Sequence, residues 1–311
     1  MNPANARTRI TTIAPETPVL EFLASRKAEV DRALERLVPP AEAWPVTLHR
    51  AVRHSLFAGG KRLRPILCLA AAEALGGRTD RTLEPACGLE MIHTYSLIHD
   101  DLPALDNDEL RRGVPTCHVV FGEAVAILAG DALLTHGLGV LARYPEEQRS
   151  AGAKMRVLNM VVDAIGTTGM IGGQVADLEA EKMHPTEELV RTIHESKTGR
   201  LIRASLRTGA ILADAAEESL ERLDEYGRLI GLAFQIKDDL LDVEADAGSL
   251  GKASGKDAAA GKATFPAVWG VERSRAILAQ SIEDAAAKAH ALPGGGGRLP
   301  QLARFVGQRS S

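Results

Sequence analysis

Within residues 99–113, HDDLPALDNDELRRG, five acidic and two arginine side chains share fifteen positions. A second cluster, FQIKDDLLD, sets Asp238, Asp239 and Asp242 in an otherwise apolar stretch. On a helix Asp238 and Asp242 share one face a single turn from each other, where like charges repel unless a cation joins them. Asp100 and Asp106 would point about 120° apart on an ideal helix. Pro103 disfavours continued helix between them, so the spacing predicts that the helix carrying Asp100 and Asp101 ends there and lets Asp106 swing back. Hard cations such as Mg²⁺ take oxygen ligands, typically one or two carboxylates with waters and substrate phosphates. Arginine's planar fork binds phosphate in bidentate fashion. Two acidic walls with Arg111 and Arg112 beside them therefore predict a Mg²⁺-diphosphate clamp. One acidic run alone is usually a solvated helix end; the pair carries the reading.

Helices must hold these side chains. Apolar residues recur at three- and four-residue spacing over 18–37, 62–77, 83–101, 121–142, 151–168, 186–212, 217–245 and 270–291. No stretch alternates with period two, and aromatics are 4% of the chain, which predicts an all-α bundle. Turn signals fall at Gly59–Gly60, Gly76–Gly77, Gly172–Gly173 and the four glycines 294–297, while the Gly-Lys-Ala-rich run 247–263 reads as a long loop whose lysines suit a lid. No polar linker divides the chain, so a single domain over 1–311 is expected, with 1–16 as a flexible arm. The start lacks the apolar run of a signal peptide, and no stretch nears ~18 uninterrupted apolar residues, so no membrane anchor is expected. A net charge of −4, with 45% hydrophobic and 25% charged residues, suits a globular protein and makes no case for a nucleic-acid partner. Cys68, Cys87 and Cys117 have no zinc-ligand spacing, which predicts free thiols and a cytoplasmic location.

The pairing of DDLPALD with DDLLD resembles the two aspartate-rich motifs of the trans-polyprenyl diphosphate synthases, and the two extra residues of the first motif resemble the bacterial farnesyl diphosphate synthase type. GGKRLRP at 59–65, MIHTYSLIHDDLPALDNDELRRG at 91–113, PTCHVVFGEAVAILAGDALL at 115–134, GGQVADL at 172–178, KTGRLIRAS at 197–205 and LGKASGKDAAAGKATFP at 250–266 follow that family's order. The resemblance implies a helical bundle around a deep central cavity, normally a homodimer, that condenses isopentenyl diphosphate with an allylic diphosphate. It implies that Asp100, Asp101, Asp106 and Asp238, with Asp239 and Asp242, hold Mg²⁺ on the allylic diphosphate, which Arg111, Lys197 and Lys252 also touch. It assigns Gly60, Lys61, Arg64, His93 and Arg112 to a metal-free isopentenyl diphosphate pocket. Thr198 and Gln235 present uncharged oxygens suited, with Lys197, to the reacting centre.

The residues themselves bear on these roles. Cations at 61, 62 and 64 near a helix start oppose the macrodipole, which favours a bound anion as their reason. His93 among apolar neighbours alone reads as a core histidine, yet it returns to nearly the face of Asp100 seven residues on. Gln174 and Asp177 also suit a helix cap, and His99 and Glu109 read as structural or surface residues. Asn107 and Glu109 stand where the family commonly has aspartate. Tyr95, about 7–8 Å before Asp100 along a helix, is placed to close a hydrocarbon tunnel, with small Ser96 leaving room at its mouth and Leu97 narrowing another side. That favours a fifteen-carbon product over the alternative, geranylgeranyl diphosphate. A non-catalytic regulatory subunit would be expected to lose an aspartate motif, a terpene cyclase would not need GGKRLRP, and a phosphohydrolase would need a water-activating base. Whether Arg304 or Arg309 helps to close the site is open at this stage.

Overall fold

Residues 83–100 are apolar on nearly every side, and a helix of that kind has to be buried. The computed structural model, which describes residues 18–146, 150–181, 186–248 and 264–309, puts it at the centre of a helical bundle. Helix α1 (Val19–Leu37) turns Phe22, Val30, Ala33 and Leu34 inward. Helices α2 (Val46–Leu56) and α3 (Leu63–Ala74) follow, and α4 (Leu83–Asp100) packs against α1, α2 and α3. Its core residues Leu89, Met91 and Ile92 are fully buried, each worth roughly 1.5–3 kcal/mol of transfer free energy.

Helix α4 stops at Asp100, as Pro103 predicts, and Asp106 folds back so that its N–H donates to the Asp100 carbonyl at 2.9 Å. The chain then makes a small hairpin, β1 (Leu110–Arg111) antiparallel to β2 (Val114–Pro115). Its two linking residues, Arg112 (φ 55°) and Gly113 (φ 77°), are both left-handed, as tight hairpins favour. Helices α5 (Cys117–Phe121) and α6 (Glu123–Arg143) lead to α7 (Ala151–Ile165) and α8 (Met170–Ala180), with α6 lying along α4.

The Thr186 side chain caps α9 (Glu187–His194) by accepting the Leu189 N–H at 3.2 Å. One π-helical turn, Glu195–Gly199, joins it to α10 (Arg200–Leu212). Long α11 (Glu217–Gly248), short α12 (Phe265–Trp269), α13 (Val271–His290) and α14 (Leu299–Gln308) complete the bundle.

The all-α expectation holds, the two-residue strands aside. The turn expected at Gly172–Gly173 does not exist: both residues lie inside α8. Most of the expected loop at 247–263, with Lys252, lies outside the described residues, as does the arm 1–16.

Candidate active site

A cavity of about 800 Å³ opens between the start of α3, the end of α4, the hairpin, α8, the π-turn, α11 and Arg309. Its two acidic walls come from different helices, Asp100 on α4 and Asp238 on α11. Burial pushes the Asp100 carboxyl up to about 6; Asp106 and Asp101 add to that by repulsion, against the pull of Lys197 and Arg111. Burial also raises the Asp238 carboxyl, although Arg309 holds it at 2.6 Å. Both carboxyls stay above their ordinary value despite these cations because burial outweighs them, and buried carboxylate oxygens suit a hard cation. Among the described residues no three His, Cys, Asp or Glu side chains form a ready cluster. Such a cation would therefore rely on substrate oxygens too, as Mg²⁺ commonly does.

The other aspartates do not line the cavity. Asp101 is buried and gripped by Arg111, whose Nε lies 2.8 and 3.0 Å from its two oxygens and whose Nη2 lies 2.6 Å away, so it aims the guanidinium into the cavity. Asp106 is half-buried beside Asp100. Asp242 is exposed one turn beyond Asp238. Asp239 is buried, accepting the Phe265 N–H at 2.8 Å and the Gln235 amide at 3.0 Å.

The opposite wall is basic. Lys61, Arg64, His93 and Arg112 face the same space at the positive end of α3. Burial pushes Arg64 down to about 10, and its Nε has no hydrogen-bond partner. Burial, helped by the four arginines at 64, 112, 111 and 62, holds His93 well below its usual range, and its Nδ1 also lacks a partner. Lys61 is lowered by burial and by Arg309. Buried polar groups normally have partners, so the orphaned Arg64 Nε–H calls for an anion, and a neutral His93 adds a donor there in the tautomer with the proton on Nδ1. Gly60 (φ 126°) lets the chain pass under Arg112: a Cβ there would sit 2.4 Å from its Nη1, which donates to the Gly59 carbonyl at 2.5 Å.

Between the walls the π-turn presents Lys197 and Thr198 together. A π-bulge inserts one residue into a helix and often marks a functional site. Lys197 pairs with Asp177 at 2.7 Å, and Thr198 donates to the Gln235 oxygen at 3.2 Å. Gln174 reaches the cavity with its oxygen unpartnered.

Below them lies an apolar shaft formed by Tyr95, Leu97, Met170, Ile171, Val175 and Leu178, with Ser96 on its wall donating to the His93 carbonyl at 2.9 Å. The α8 members escaped sequence reading because two glycines masked their helix, although 171, 175 and 178 share a helical face. His99, expected to be structural or surface, lines the shaft, its ring nitrogen 3.0 Å from the Ile127 carbonyl. Arg309 reaches the cavity across the Phe234 ring, 3.8 Å from its centre, whereas Arg304 stands 3.6 Å from Glu283 outside it.

The polyprenyl synthetase family model matches residues 45–292. The chain is 44% identical over 264 residues to the farnesyl diphosphate synthase of Bacillus subtilis (strain 168), covering 85% of this chain and 89% of that protein. It is 46% identical over 268 residues to the geranylgeranyl diphosphate synthase of Cyanophora paradoxa, covering 86% and 88%. A crystal structure of an FPP/GFPP synthase from Zymomonas mobilis superposes with a TM-score of 0.82 at 32% identity, over 93% of this chain and 99% of that one.

Proposed function

The chain belongs to the polyprenyl synthetase family and is a prenyltransferase, and we propose that it condenses isopentenyl diphosphate head-to-tail with dimethylallyl and geranyl diphosphates, releasing mainly farnesyl diphosphate and diphosphate. The observation that carries this is one cavity lined by Asp100 and Asp238, by the basic group Lys61, Arg64, His93 and Arg112, and by an apolar shaft below them. Two diphosphates of opposite fate fit that division.

Asp100 and Asp238, with Asp106 beside Asp100, are the residues that would hold Mg²⁺, which when bound supplies a Lewis acid that draws charge from the allylic C–O bond. Arg111, aimed by Asp101, and Lys197 bind the same diphosphate. Lys61, Arg64, His93 and Arg112 bind isopentenyl diphosphate by charge and hydrogen bonds alone, so its C–O bond is not activated. Thr198 and Gln235 turn oxygens toward the developing allylic cation. After the alkene attacks, the released diphosphate is the base for the final proton.

Two aspartate walls and a basic pocket argue against a regulatory subunit. A geranylgeranyl product is the second reading, since relatives with both product names stand at similar identity. Tyr95 in the shaft favours the shorter one.

Helix α6 is long and apolar enough to cross a membrane by length and composition. It lies along α4, and Ile127 and Leu128 on α6, with Met155 and Val162 on α7, are exposed. We propose a cytoplasmic homodimer in which a second copy of the chain covers that face; light scattering of the purified protein tests the dimer. The activity test is incubation with Mg²⁺, radiolabelled isopentenyl diphosphate and each allylic starter, then chromatography of the dephosphorylated products. Label confined to unreacted substrate overturns the reading.

A further inference from the structure

Asp239 belongs by sequence to the second acidic cluster, yet its environment differs from that of Asp238. It is 3% exposed and absent from the cavity wall. Its Oδ2 accepts the Phe265 N–H at 2.8 Å, at the first residue of α12, and its Oδ1 accepts the Gln235 Nε2 at 3.0 Å. We propose that Asp239 is a positioning residue for prenyl transfer, fixing the Gln235 amide so that its oxygen, together with the Thr198 hydroxyl, faces the reacting centre.

An ionised carboxylate accepts hydrogen bonds and donates none. Facing Oδ1, the Gln235 amide has to present its nitrogen, so its oxygen points to Thr198, whose hydroxyl donates to it at 3.2 Å. Spending the hydroxyl proton on Gln235 leaves the Thr198 lone pairs toward the cavity. The order Asp239, Gln235, Thr198 therefore sets the polarity of two cavity-lining groups. With the amide reversed, an N–H would meet Thr198 and the hydroxyl proton would be sent elsewhere, the wrong polarity for a developing cation. The Phe265 bond holds Asp239 in place from the far side. Phe265 stacks on His194, 5.3 Å between ring centres, and on Trp269 at 4.4 Å, so the anchor is itself packed.

This rests on the prenyl-transfer reading, and the experiment separates the two. Asp239→Asn keeps the shape but leaves one acceptor oxygen where the Phe265 N–H and the Gln235 amide now take one each, with His194 Nε2 4.0 Å from Oδ2 on the Phe265 side. With its oxygen on Phe265, its amide turns Gln235 over. The expected result is a kcat lower by at least about tenfold, with KM for both diphosphates and the Mg²⁺ concentration for half-maximal rate within about threefold of wild type. The double variant Asp239→Asn/Gln235→Glu restores the order, since the amide introduced at position 239 can donate to one oxygen of the carboxylate introduced at position 235 while the other oxygen faces Thr198. Its kcat should exceed that of Asp239→Asn. Unchanged kcat in Asp239→Asn overturns the inference, as does a loss that excess Mg²⁺ repairs, which would make Asp239 a ligand. No gain in the double variant also overturns it. Absence of turnover in wild type overturns the reading beneath and this inference with it.

Folding is followed by circular dichroism, and the wild type gives an independent measurement should a variant not fold. One of the two Gln235 side-chain amide protons, assigned by their loss in Gln235→Glu, should exchange more slowly with solvent than the other because Asp239 holds it. Equally fast exchange of both overturns the inference.

Discussion

Asp100 is uncomfortable without a cation. Its carboxyl, ordinarily at 3.8, stands at about 6, raised first by burial and then by Asp106 and Asp101. Between those two values the folded protein binds more protons than the unfolded chain, so this group's contribution to stability falls as pH rises through the window. Above it the folded state carries an ionised, poorly solvated carboxylate. Calorimetry without Mg²⁺ should therefore show Asp100→Asn melting above wild type at pH 8, with the gap closing toward pH 4, while turnover falls by orders of magnitude. Equal melting at pH 8 would reject the strain. Across the cavity the deficit has the opposite sign: Lys61 and Arg112 are both held below their usual values by burial and by neighbouring cations. Losing one charge-assisted hydrogen bond costs about 1.5–3 kcal/mol, roughly tenfold to a hundredfold in affinity. Lys61→Ala and Arg112→Ala should raise KM for isopentenyl diphosphate by that factor and for the allylic substrate by much less; steady-state kinetics with each substrate varied decides it.

Among the elements, the π-turn has little tolerance for added bulk. Helix α8 approaches it so closely that a Cβ on Gly173 would sit 2.4 Å from the Lys197 backbone nitrogen and 2.8 Å from its Cα. Backbone cannot move aside as a flexible side chain can, so Gly173→Ala has to push α8 and the turn apart. Overpacking of this kind costs about 1–3 kcal/mol, and here the shift falls on the segment that presents Lys197 and Thr198. We expect a lower melting temperature and a lower kcat together, whereas Gly152→Ala, inside α7 with open space around it, should leave kcat as it is and raise the melting temperature slightly if at all. The same contact explains what the sequence hid. Glycine is read as a turn because its usual reason is backbone freedom, but at 173 the reason is proximity, which belongs to the partner helix. Long apolar helices, α1 with its stripe and α4 apolar nearly all round, were legible almost to their ends, and Pro103 located the end of α4. Short α2 and α14 were not, because ten or eleven residues give periodicity little room. Asp100 and Asp238 were legible as cavity residues from spacing; the separate tasks of Asp101 and Asp239 depend on contacts that only the folded chain makes, with Arg111 on the hairpin and with Phe265 on α12.

For the whole molecule, the remaining question is where the growing chain stops. The shaft descends from the carboxylate mouth between α4 and α8, and Tyr95 lines it while remaining 6% exposed. Its ring meets the His99 ring edge-on, 5.6 Å between centres, and His99 is tied to the Ile127 carbonyl of α6 at 3.0 Å. The phenol is thus braced by a second helix and is not free to swing aside. Ser96 and Leu97 share the wall, and both side chains are smaller than the phenol. Each further methylene of product gains only about 0.8 kcal/mol by burial, too little to displace a ring held between two packed helices. Wild type should accordingly stop mainly at fifteen carbons, and Tyr95→Ala should shift the products to twenty carbons or more, because the space left by the ring continues the shaft. A smaller ring-for-ring change, Tyr95→Phe, keeps the stopper and should leave the distribution as it was. Chromatography of the dephosphorylated products checks both. An unchanged distribution from folded, active Tyr95→Ala would mean that the floor lies deeper than residue 95, and would return the twenty-carbon product to first place.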